Sequence, residues 1–182
     1  MTQPLAAPPV EALLDLAIRH INAGQRERAQ LLCERAVVLH PPHPGVQQLL
    51  ALIRLQTGDA TAATALAAAS LALRPGHPPT LRLAADAWFQ VSSQRHAQGD
   101  PAGEEAALRE VLRLAPDRVE AEVNLGIVLQ DGGDIDAAMQ AYGRAYRLRE
   151  DSFGRIAHAL ATPNVGRVWL RLDELRAALS AA

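Results

Sequence analysis

Apolar residues along the chain recur at helical spacing in short segments, and glycines and prolines punctuate those segments. From Val10 to Ala23 the residues Val10, Leu13, Leu14, Ala17, Ile18 and Ile21 fall on one broad face, and Gly24 ends the run. A second helix is predicted over 26–39, burying Ala29, Leu32, Cys33, Ala36 and Val37, and the proline cluster from Pro41 to Pro44 stops it because proline cannot continue the backbone ladder. The pattern predicts further helices over 44–56, 60–73, 79–97, 101–114, 119–130 and 135–148. Asp59, as N-cap, and Asp100, ahead of Pro101 at the first helical position, mark two of the starts.

The punctuation is periodic. From Gly24 to Gly58 and from Gly99 to Gly133 the interval is the same, and between Gly58 and Gly99 it is longer by seven. Gly24, Gly58 and Gly99 each lead, at one constant spacing, to a proline: Pro41, Pro75 and Pro116. The long interval carries its seven extra residues in its first helix, about two helical turns, so the added length keeps nearly the same face inward. Small residues also recur in register. Ala29, Ala63 and Ala138 stand five residues past the turn glycine, where the third unit has Glu104, and Ala17, Ala51, Ala85 and Gly126 occupy one position of the first helices. Two helices of a pair cross at such points, and a larger side chain would hold the backbones apart.

A 34-residue helix-turn-helix period with Leu125-Gly126, Gly133, Ala138, Tyr142 and Ala145 resembles the tetratricopeptide repeat (TPR), bacterial type. Glu150 stands where that repeat ends in proline. The resemblance implies an all-α, right-handed helix-turn-helix solenoid, a TPR superhelix of about ten antiparallel helices. It predicts a flexible arm over 1–9, four repeats (10–43, 44–77, 78–118 with the insertion, 119–152), and a capping helix and tail over 153–182. In the tail, 153–161 reads as a helix. Val165, Val168, Leu172, Leu175 and Leu179 have helical spacing, while Val168, Leu170 and Leu172 alternate as a strand would; an extended stretch around Trp169 leading into a helix over 173–178 is expected.

Composition narrows the chemistry. All 18 basic side chains are arginine, which removes any lysine nucleophile or P-loop lysine, and the single cysteine excludes an intramolecular disulfide and a multi-cysteine zinc site. No HExxH, GxSxG, GxGxxG or CxxC occurs, so catalysis, a cofactor and a metal are not expected. His40, His43 and His77 lie in proline-rich turns without a carboxylate or cysteine spaced to complete a ligand set. Scarce aromatics and a pI near 6.3 disfavour nucleic acid, and no long uncharged apolar run or basic leader points to a membrane, so a cytoplasmic protein of one domain is the expectation. Charge is uneven: residues 100–139 carry three arginines and ten acids, against eight arginines and six acids before them and seven arginines and four acids after. That bias either orients a charged partner or serves solubility.

What the resemblance implies for function is a protein or peptide bound in a groove lined by the first helix of each unit. Carried onto this sequence, the groove rows are Leu14, Gln48, Arg82 and Val123; Ile18, Leu52, Asp86 and Ile127; and Ile21, Leu55, Phe89 and Gln130. Asn22, Gln56, Gln90 and Asp131 form a polar rim, with Asn124 beside them. The alternative is that the apolar rows contact neighbouring first helices and only the rim is exposed. Arg82 and Asn124 suit a clamp for a C-terminal carboxylate, but Asp86 stands where asparagine is expected and further basic groups are missing. Trp169 and the final helix could instead lie in the groove of their own chain or of a second copy, which makes a homodimer or self-associating scaffold the competing expectation, and an accessory subunit that positions an enzyme or its substrate a third.

Overall fold

The computed structural model describes residues 7–161 and 172–181, and among these it contains ten α-helices, one 3-10 turn and no strand. The helices are α1 Val10–Asn22, α2 Arg26–Leu39, α3 Pro44–Gln56, α4 Ala60–Leu73, α5 Pro78–Ala97, α6 Pro101–Leu114, α7 Val119–Asp131, α8 Ile135–Leu148, α9 Phe153–Ala161 and α10 Leu172–Ala181. The stretch around Trp169 lies outside the described residues.

One turn design is used four times. Gly24, Gly58, Gly99 and Gly133 all have φ between 68° and 87°, the left-handed region that glycine enters without a Cβ penalty. Each donates its N–H three residues back, and the following residue donates to a carbonyl five back, as in Asp134 to Leu129 at 2.9 Å and Gln25 to His20 at 2.8 Å. This pair of bonds satisfies carbonyls that a helix end otherwise leaves unpaired. In three of the turns the same residue then starts the next helix: Asp59, Asp100 and Asp134 accept from Ala62, Gly103 and Ala137 N–H at 3.1, 2.9 and 3.1 Å. A glycine-aspartate pair thus ends one helix and opens its partner, which keeps the turn short and the pair antiparallel.

The turn histidines have a structural task. His43 Nδ1 accepts from Gly45 N–H at 3.2 Å at the start of α3, and His77, one repeat later, bonds Thr80 Oγ1 at 2.9 Å at the start of α5. His40 Nε2 lies 2.8 Å from the carbonyl of Pro8 and ties the end of α2 to the chain entering α1.

In place of one continuous core, the chain divides into two compact units, Met1–Ala87 and Trp88–Ala182, with the division inside α5. In the first, α1 packs on α2, α2 on α3 and α3 on α4 around Leu13, Ala17, Ala29, Cys33, Val46, Leu50 and Ile53. In the second, α6 packs on α7, α7 on α8 and α10 on α8, with Leu108, Val111, Tyr142, Ile156, Leu175 and Leu179 all fully enclosed.

Helix α5 explains where the division falls. It has 20 residues where α1, α3 and α7 have 13, so the whole insertion is absorbed as helix. It carries the small buried position twice, as Ala85 at 1% exposure in the first unit and Ser92 at 2% in the second, one heptad apart. Ala85 lies one repeat period beyond Ala51; Ser92 precedes the turn glycine Gly99 by the same seven positions that separate Ala17 from Gly24.

Candidate functional site

In the first unit, α1 and α3 each place two of their candidates on one open cavity of about 290 Å³. Leu14, Ile18, Gln48 and Leu52, all anticipated as groove residues, line it with Gly45, Leu49, Pro79 and Leu83, which were not. Gly45 lets α1 and α3 approach, since a Cβ there would sit 3.2 Å from the Leu14 methyl. Ile18 is 45% exposed, an apolar side chain left facing solvent at the cavity edge. Gln48 Oε1 accepts from Thr80 Oγ1 at 3.2 Å, which fixes the amide and leaves its NH2 as the donor on an otherwise apolar wall.

The remaining first-unit candidates scatter. Ile21 is half-buried against the core, Leu55 is half-buried, Asn22 is exposed, and Gln56 is exposed with its Oε1 accepting from Arg26 Nε at 3.0 Å. Arg82 and Asp86 both lie exposed on the first half of α5.

The second unit deals differently with the same rows. Val123 is 1% exposed and Gln130 2%, so neither offers a side chain to a ligand. Gln130 is a buried tie: its Oε1 accepts from Tyr142 Oη at 3.0 Å and its Nε2 donates to the Ala159 carbonyl at 3.1 Å, joining α7, α8 and α9. Burial, with the Asp131 charge adding to it, pushes the Tyr142 hydroxyl far up, so it remains a donor. Phe89 and Gln90 are half-buried, and the Arg118 guanidinium lies 4.5 Å from the Phe89 ring centre.

Asn124 and Ile127 do line a cavity, of about 270 Å³, with Ser92, Ser93, His96 and Glu104. Asp131 lines an adjoining one of about 200 Å³ that shares His96, Glu104 and Ile127. His96 and Glu104 were not among the candidates. The signal was present in the row of small residues: Ala29, Ala63 and Ala138 are buried at 0%, 0% and 1%, and the third unit puts a glutamate there.

Other chemistry is accounted for. Burial, reinforced by Glu34, pushes the Cys33 thiol up to about 11, so it stays protonated and inert at neutral pH. Among the described residues no group of three His, Cys, Asp or Glu could hold a metal, and no helix is long and apolar enough to cross a membrane.

Tandem helix pairs with a repeated turn, small residues at the crossings and cavities between first helices define a helical-repeat scaffold. Residues 120–152 match the tetratricopeptide repeat model, and the tandem helix pairs are consistent with a protein of the TPR type. No curated protein matches it. Among solved structures, MamA aligns with a TM-score of 0.55 at 20% identity over 79% of this chain and 80% of that one. A MamA RS-1 double mutant aligns at 0.56 and 17%, over 79% and 76%. YrrB, described as a TPR protein with an unusual peptide-binding site, aligns at 0.56 and 14% over 93% of this chain and 80% of its own. At these identities the likeness is one of fold.

Proposed function

We propose that the chain binds a partner protein by receiving an apolar segment of it, a short peptide or an amphipathic helix, in the cavity of the first unit. The observation that carries this is the convergence of Leu14, Ile18, Gln48 and Leu52 from α1 and α3 on one open apolar cavity. A leucine- or phenylalanine-sized anchor buried there contributes about 1.5–3 kcal/mol, enough to matter and too little to hold a partner alone. The Gln48 NH2 supplies the polar contact that orients a backbone carbonyl beside the anchor. Such a role is that of an adaptor, doing no chemistry itself.

An Ile18→Glu, Leu52→Glu double variant tests the reading. Both side chains border the cavity and neither is fully buried, so the helical fold survives. Partners captured by the wild-type chain are lost by the variant; capture of the same partners by a variant with unchanged thermal melting overturns the assignment.

A second reading, self-association into a scaffold, is favoured by a different face. Leu31 and Val38, one heptad apart on α2, are 64% and 83% exposed, and α4 contains no charged residue. Removing residues 162–182 would not isolate this behaviour, because it also strips α10, whose Leu175 and Leu179 are 1% and 0% exposed and whose Leu179 carbonyl accepts from Arg147 at 3.3 Å.

A further inference from the structure

The cavity of about 270 Å³ in the second unit differs in kind from the one in the first, because a carboxylate, two hydroxyl oxygens and an amide oxygen stand among its lining groups. Glu104 stands at the helix-crossing position that the other units fill with buried alanine, and its side chain is only 12% exposed. Its carboxylate accepts from His96 Nδ1 at 2.9 Å, a partner that is itself 74% exposed and therefore easily displaced or shared. Ser92 and Ser93 both spend their one hydroxyl proton on the Phe89 carbonyl, at 2.8 and 3.1 Å, so their oxygens have only lone pairs left to offer. Asn124 adds an amide oxygen, Ile127 an apolar wall, and Asp131 a second carboxylate in the adjoining cavity. By contrast, Asp100 is already engaged, by Gly103 N–H and by Arg95 at 3.2 Å.

A pocket of acceptors with a mostly buried carboxylate and an apolar wall fits a group that only donates, carries positive charge and has an apolar stem. Arginine matches on each count: five N–H donors spread in a plane, a permanent charge, and a three-carbon stem that packs on an aliphatic surface. Lysine offers three donors from one point, lacks the planar fork, and carries a compact charge that is more strongly hydrated and costs more to bury. The surrounding sequence is complementary as well, since residues 100–139 hold ten acids against three arginines.

We propose that this cavity is a recognition pocket for an arginine side chain presented by a partner protein, with Glu104 as the charge-pairing residue, Ser93 and Asn124 as acceptors around it, and the buried Ser92 in its floor. The proposal rests on the protein-binding reading only for where the arginine comes from. The pocket itself lies wholly in the second unit, and its test uses no partner, so its failure and the failure of the first-unit cavity are separate outcomes.

The probe is the blocked tripeptide acetyl-Gly-Arg-Gly-amide, titrated into the full ¹⁵N-labelled chain at low salt, with lysine and glutamine analogues in parallel. Saturable shifts are expected at the Ser93, Asn124 and Ile127 amides, with the arginine peptide binding about 10-fold or more tighter than either analogue. Glu104→Gln keeps the shape and removes the charge, and loses about 10–100-fold. Glu104→Ala restores the small residue of the other units, so it folds, and it loses binding to at least the same extent. Equal affinity for the lysine or glutamine peptide, unchanged binding in Glu104→Gln, or no saturable shift at these amides in the wild-type chain overturns the proposal.

Discussion

A methyl group on Gly126 has nowhere to go: a Cβ there would run into the Tyr142 ring, which is fully enclosed between α7 and α8. Gly126→Ala therefore forces either the ring or the helix to move, a cost of about 1–3 kcal/mol that a thermal melt reads as a lowered midpoint. The equivalent positions Ala17, Ala51 and Ala85 already carry a methyl, so the demand for glycine comes from the tyrosine and not from the crossing itself. The small residues were legible in sequence because they recur in register with the turn glycines. Gln130 was not, since a polar residue near a helix end reads as a rim group. Only the Tyr142 hydroxyl brought beside it by the fold turns it into a buried link, and Val123 likewise faces inward once α7 is packed on both α6 and α8.

Helices, as elements, were legible almost to the residue, because glycine, aspartate and proline each impose a backbone consequence at the end they mark. The exceptions fall where those markers are absent. The terminal helix starts at Leu172 and runs to Ala181, longer than expected at its C-terminal end, where alanine and serine set no boundary. A 3-10 turn, Glu150–Ser152, stands where the repeat elsewhere has proline. The length of α5 was readable and its double use was not, for two small residues seven apart look like ordinary heptad spacing. Because each residue rotates the helix by about 100°, a change of seven residues in α5 brings the helix back to nearly the same face. Deleting 86–92 returns it to the length of α1, α3 and α7, with Ala85 as its single small crossing position. This variant should keep helical circular dichroism and a cooperative melt, and loss of either in the deletion variant counts against the reading of 86–92 as an in-register insertion.

At the scale of the whole molecule, what the sequence leaves open is which exposed surface serves a partner. The two units put different chemistry into their cavities, an apolar floor with one amide in the first and a carboxylate among polar side chains in the second. Uneven charge was legible and its meaning was not, since only the placement of Glu104 beside His96 shows that part of it lines a cavity. The scaffold reading is decided by light scattering: if the α2 face joins copies, the wild-type chain shows a concentration-dependent mass that Val38→Asp removes, and a concentration-independent monomer mass for the wild type ends that reading. The enclosed Cys33 thiol, held up to about 11 in a chain without a single lysine, has a practical corollary. The folded surface is silent to maleimides, so a cysteine introduced at an exposed position outside both cavities, such as Asn22, becomes a single reporter site for a fluorophore without the native thiol being removed.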